Sequence, residues 1–197
     1  HQVPGYDFLN HEEFDLRDAR KKVGCWLSRA SWKYECSEFV FALAMGMMDR
    51  YLLTKRLYRP RQRLQLLGVS CLFIASKYED IWPLKLQKCV DLCDGLYDVQ
   101  QIINMELDIL NTLDFKLVWC TATTFLHLYR RRQFKQSGVK TSERQDGFAQ
   151  YMVELFLVRE QSLNHSQAVI AAAALYMSCI AGYMGDGMGV AIMPSSQ

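Results

Sequence analysis

From Leu64 to Ser76 the chain runs for 13 residues without a single charge, and at most positions the side chain is apolar: Leu64, Leu66, Leu67, Val69, Cys71, Leu72, Phe73, Ile74 and Ala75. A helix that is apolar on every side must be surrounded by other elements. Gly68, Ser70 and Ala75 are small enough to let those neighbours approach closely. The flanking sequence supplies them. Pro60 suits the first turn of this helix. Upstream, a helix beginning around Asp15–Asp18, with acids at its positive end, runs through Val23, Trp26 and Leu27. Ser37 is placed to cap a second, Glu38–Thr54, whose apolar set Val40, Phe41, Ala44, Met47, Met48 and Tyr51 recurs at helical spacing. Downstream, Pro83 starts a helix through Leu92. Asp98 and Gln101 then form a capping-box pair for a fifth that reaches about Leu113.

The pattern then begins again. Thr121 caps a helix through Tyr129, a second covers about Phe148–Val158, and a charge-free helix follows over residues 166–181, in the place that 64–76 holds in the first series. Four prolines and 11 glycines among 197 residues are too few for the turns of a sandwich or barrel. The expectation is an all-α protein of two repeated bundles, the second incomplete: a lead-in at 1–16, a five-helix unit at 17–117 and about three helices at 118–197. The stretch His165–Gly185 lacks charge but is alanine-rich and interleaved with Ser166, Gln167, Ser178 and Gly182, which suits a buried helix better than a membrane span. Gly185, Gly187 and Gly189 read as an irregular tail.

Chemistry is sparse. No glycine-rich loop leads a helix, and no Cys/His or Ser/His/Asp constellation stands out, so no catalytic residue, metal or cofactor is expected. The seven cysteines include no C-x-x-C pair, and Cys89 and Cys93, four apart on one helical face, do not make a metal site. Reduced buried thiols inside a cell fit better than a disulfide framework. The net charge of +2 calls for neither nucleic acid nor a membrane surface. Local basic segments (Lys55, Arg56, Arg59, Arg61 and Arg63, then Arg130–Arg132) leave DNA binding through basic loops as the alternative function.

The segment Leu64–Pro83, with Lys-Tyr-Glu-Asp-Ile-Trp-Pro at its end, resembles the core of the cyclin box, most of all that of A- and B-type mitotic cyclins. Trp26-Leu27, Met48–Leu52, Asp94 with Tyr97, Met105-Glu106, Leu113–Phe115, Gln150–Leu155 and Ser166–Ala171 resemble the same family in the same order, over about residues 17–181. The resemblance implies a two-box cyclin fold and an intracellular, nuclear or cytoplasmic, regulatory subunit. Such a subunit has no enzymatic chemistry of its own and forms a heterodimer with a cyclin-dependent kinase. It further implies that Lys77 and Glu106 project from the ends of the third and fifth helices to bond the kinase backbone, with Tyr78, Ile81, Leu110, Phe115 and Leu117 giving apolar contacts around them. Arg20 and Asp49 match a buried ion pair that ties the first helix to the second.

The family's groove for substrate or inhibitor docking peptides corresponds to Val23, Trp26, Leu64 and Gln65. Here the pattern departs: Ala19 stands where methionine is usual, Lys22 replaces an apolar residue, and Arg29 replaces an acid. Like-charge repulsion is then expected to weaken an arginine-bearing motif. The long N-terminal helix of mitotic cyclins is expected upstream of His1 or dispensed with, and the Asp49–Gln65 connection is about two residues longer than usual by the same comparison.

Overall fold

In the computed structural model the described residues are 10–11, 14–55, 60–138 and 140–189. A two-residue antiparallel pairing, β1 (Asn10–His11) with β2 (Phe14–Asp15), leads into eight helices: α1 (Leu16–Lys33), α2 (Glu38–Thr54), α3 (Pro60–Glu79), α4 (Leu86–Leu92), α5 (Val99–Thr112), α6 (Ala122–Ser137), α7 (Glu143–Leu157) and α8 (Gln167–Gly189). A 3-10 turn at Glu160–Asn164 links α7 to α8.

The charge-free run lies in α3, and every one of its residues except Gln65 is buried. α1, α2, α4 and α5 all pack against α3. Close approach rests on glycine: a Cβ on Gly68 would stand 2.7 Å from Val23 Cγ1, so α1 lies directly on the α3 backbone. On α1 the buried stripe Leu16, Arg20, Gly24, Leu27 and Ala30 recurs at helical spacing, with Val23 and Leu27 against Gly68 of α3 and Gly24 against Met45 of α2. In the second half α8 packs on α6 and α7, as α3 packs on α1 and α2.

The caps are local. Asp98 and Gln101 bond reciprocally at the start of α5, with Gln101 N–H donating to Asp98 Oδ1 at 2.7 Å. Thr121 caps α6. Ser142 and Gln145 form a second capping box, so α7 begins five residues ahead of the expected Phe148. Ser37 precedes α2 as expected but caps nothing with its hydroxyl; its backbone N–H donates instead to Asp80 Oδ1 at 2.9 Å. α4 starts at Leu86 rather than Pro83, because Leu84 N–H is taken by Ser76 Oγ and Lys85 is extended. α6 continues past Tyr129 to Ser137, where Gly138 (φ 68°) bonds back to Phe134 O. Arg130–Arg132 are therefore helical, not a loop. α8 runs through Gly185 and Gly187 to Gly189 instead of ending in an irregular tail; glycine in a helix costs about 1 kcal/mol relative to alanine, which weakens but does not forbid it.

The halves are joined through polar groups. Arg20, almost fully buried, donates from Nε and Nη2 to the two Asp49 oxygens at 2.6 and 2.7 Å, and from Nη1 and Nη2 to the carbonyls of Val158 and Leu157 at 3.1 Å. One guanidinium thus binds α1 to α2 and to the carbonyl end of α7, where a cation is favoured. Trp119, in the α5–α6 connection, seals the seam from the other side: a Cβ on Gly46 would stand 2.0 Å from its Cζ2.

Candidate docking face around Lys77 and Glu106

Lys77 sits in the last turn of α3, delivered to the surface where the buried run ends. Glu106 lies in the middle of α5, not at its end, one position from the buried Met105. The two side chains are ion-paired with each other. The Lys77 ammonium also lies 4.2 Å from the centroid of the Phe73 ring, a cation–π contact that fixes its direction. Lys77 has three donors and the Glu106 carboxylate two acceptor oxygens, so the pair is oriented with hydrogen-bonding capacity to spare. Both remain accessible, lysine more than glutamate.

Large apolar side chains stand in solvent beside it in sequence. Tyr78 is half-exposed, and Ile81 and Trp82, in the loop after α3, are 90% and 89% exposed. On α5, Leu107 is exposed and Leu110 is half-buried, while Ile102, Met105 and Ile109 face the core. After α5, Asp114 and Phe115 both take left-handed backbone (φ 52° and 54°), and Phe115 is 65% exposed. Left-handed backbone at a bulky residue costs on the order of 1–3 kcal/mol. Phe115 N–H bonds Leu110 O and Leu117 N–H bonds Phe115 O, which hold the turn. Leu117 is half-buried and Val118 exposed. An exposed ring on a strained turn does nothing for the core.

Trp82, Leu107 and Val118 belong to this exposed set although the sequence did not single them out. For Leu107 the signal was present: it falls off the stripe formed by Ile102, Met105 and Ile109.

Of the expected peptide groove, Val23 and Trp26 are half-buried on α1 and Gln65 is half-buried on α3. Leu64 is fully buried in the core and offers no surface, because α3 turns that position inward. Lys22 and Arg29 are exposed, with Lys22 paired to Asp18 at 2.5 Å.

The basic segments are partly spoken for. Lys55 pairs with Asp108 at 2.5 Å, and Arg130 with Asp146 at 3.1 Å. Arg61 and Arg63 lie in α3 rather than in a loop, and Arg56 and Arg59 lie outside the described residues. The cysteines are free. Burial pushes the Cys89 thiol up to about 12 and Cys93 up to about 11, which suppresses the nucleophilic thiolate. Among the described residues no group of three His, Cys, Asp or Glu could hold a metal, and no helix is long and apolar enough to cross a membrane.

Residues 1–118 match the family model for the N-terminal domain of cyclins. Among curated proteins, the chain is 37% identical over 153 residues to a G2/mitotic-specific cyclin, C13-1, of Daucus carota, covering 78% of this chain and 44% of that protein. It is 36% identical over 151 residues to Cyclin-B1-3 of Arabidopsis thaliana (77% of this chain, 34% of that one). It is 35% identical over 177 residues to a putative cyclin-A3-1 of the same plant (89% and 49%). The chain thus spans less than half the length of these relatives. Among solved structures, a viral cyclin from Herpesvirus saimiri superposes with a TM-score of 0.72 at 24% identity, over 82% of this chain and 69% of that one, a likeness of fold.

Proposed function

The chain belongs to the cyclin family, and from that premise we propose that it is the regulatory subunit of a cyclin-dependent protein kinase, acting in mitotic cell-cycle control in the nucleus or cytoplasm. One observation carries the reading: a pre-oriented Lys77–Glu106 pair accompanied by Tyr78, Ile81 and Phe115 held in solvent. Buried apolar contact supplies affinity in such an interface, and charged partners make hydrogen bonds worth about 1.5–3 kcal/mol each. Leu110 and Leu117 complete the apolar contacts. On this reading residues 17–117 are the first cyclin box and the helices from α6 onward belong to a second.

No chemistry is required of this chain. The kinase's regulatory αC helix docks on a rigid face and rotates inward, completing the kinase's own lysine–glutamate pair and freeing its activation loop. Activation follows only if the chain binds the active arrangement better than the inactive one. The test is to immobilise candidate cyclin-dependent kinases, capture the chain at high salt, and assay phosphorylation of a protein substrate with and without it. Stoichiometric capture with gain of activity supports the reading. Absence of capture by every such kinase, with steeply salt-dependent binding to duplex DNA, would favour a cyclin-fold transcription factor instead. That second reading has less behind it, since Lys55 and Arg130 already face acids.

Peptide docking at Val23, Trp26 and Gln65 is proposed to be weak, because exposed Lys22 and Arg29 repel an arginine-bearing motif. Micromolar binding of such a peptide, lost in Trp26→Ala, would contradict this.

A further inference from the structure

A cleft of about 460 Å³ opens between the start of α7 and the second half of α8. None of its described lining residues belongs to α3 or α5, which carry Lys77 and Glu106. Its charged lining residues are both cations, Lys140 and Arg144. Both are exposed, and neither is ion-paired among the described residues. Gln145 supplies a third donor. Its Oε1 is taken by Ser142, whose backbone N–H and hydroxyl donate to it at 2.9 and 3.1 Å, and this fixes which end of the amide is nitrogen. The Nε2 end lies over Gly182, where a side chain would collide with it, and has no acceptor among the described residues. Phe148, 37% exposed, gives the cleft an apolar wall.

The surrounding chain has the same sign. α6 contains no acidic residue, and its Arg131, Arg132 and Lys135 are exposed and unpaired among the described residues. From Arg131 to Arg144 five cations stand against one carboxylate, Glu143, so the local field is positive. The fold does not explain all of them. Lys135, in the last turn of α6, suits the negative end of that helix, but Lys140 and Arg144 sit at the positive end of α7, where a cation is disfavoured. Accessible donors with no acceptor, two of them charged, call for an anionic ligand. A nucleic-acid strand follows an open basic groove with its whole backbone. A cleft of this size with an apolar wall takes single side chains instead.

We propose that this cleft is a docking seat for an acidic segment of a partner protein. A carboxylate is received by Lys140, Arg144 and Gln145 Nε2, a neighbouring apolar side chain lies on Phe148, and the α6 cations steer the approach. The seat is separate from the Lys77–Glu106 face and stands whether or not a kinase docks there.

The test measures fluorescence anisotropy of a labelled Asp-Glu-Leu-Asp-Glu peptide titrated with the full chain at about 50 mM salt, where screening is modest. Saturable binding is expected with a Kd of about 10–100 μM. Lys140→Glu and Arg144→Glu, both exposed changes, should each weaken it about threefold or more with the melting temperature nearly unchanged. Lys88→Glu, on α4 in the other unit, alters net charge equally and should leave affinity in place. Replacing the peptide's leucine by serine should also weaken binding. The proposal is overturned by the absence of saturable binding, by affinity unchanged in Lys140→Glu and Arg144→Glu, by an equal loss in Lys88→Glu, by indifference to the leucine, or by tighter binding of a labelled deoxythymidine decamer at the same salt.

Discussion

Arg20 shows how much one residue can hold. It is buried with four hydrogen bonds, two to Asp49 and two to the carbonyl end of α7. Arg20→Leu leaves the Asp49 carboxylate and the Val158 carbonyl without their arginine donor, while Leu157 O keeps its bond from Ser162 Oγ, so urea denaturation should report a loss of about 3–5 kcal/mol. A loss under about 1 kcal/mol would mean that the pair is dispensable. The likeness to cyclins pointed to Arg20 and Asp49, but nothing in the sequence pointed to residues 157 and 158, since contacts across 137 positions leave no local trace. The same is true of Gln150 and Glu154 against Glu38 and Trp32. Glu38 makes a pH-dependent contribution. The His127 imidazole, its Nε2 2.8 Å from Glu38 Oε1, holds the Glu38 carboxyl below the usual range, against burial, which raises it. A lowered folded-state value means that stability is fully present above the ordinary carboxylate pKa and drains away as pH falls through the lower one. Wild type should therefore lose more stability than Glu38→Gln between about pH 5 and pH 3. Parallel loss of stability in the two would contradict this pairing.

Among the elements, those with short-range signals were the ones legible in the sequence. Asp98 and Gln101 announce α5 by spacing alone, and Asp98→Ala should lower stability by about 1 kcal/mol in a thermal melt while Asp98→Asn changes little. If alanine were as good as asparagine, the cap would be idle. The charge-free run announced α3 and its burial. Where side chains compete for the backbone, helix starts depart from the local sequence signal: Ser76 Oγ takes the Leu84 N–H and delays α4, and Asp80 takes the Ser37 N–H. Arg130–Arg132 looked like a loop because charge clusters there, yet the helix carries Arg130 onto α7. Close packing was also hidden. Gly46 reads as an ordinary helix glycine until Trp119 is seen lying on it. Gly46→Val should cost about 1–3 kcal/mol by overpacking, and Trp119→Leu in the same chain should return part of it. Additive losses would show that the two do not touch.

At the scale of the molecule, two helical units share one seam, with α2 touching α6 and α7 and Arg20 spanning both units. The repeat was visible in the sequence because each unit is built round a charge-free helix. The candidate docking face was visible only in part. Lys77 and Glu106 came from the likeness, whereas the exposure of Trp82, Leu107 and Val118 depends on where the α3 and α5 stripes end up, which only packing decides. Lys77 and Glu106 lie outside the core, so their loss should leave the fold in place. The central claim is therefore tested most directly with the double variant Lys77→Ala plus Glu106→Ala, assayed for activation of the captured cyclin-dependent kinase beside helical content and melting temperature. Kinase activation should be abolished while helical content and melting temperature stay nearly unchanged. Full activation by the double variant would contradict it.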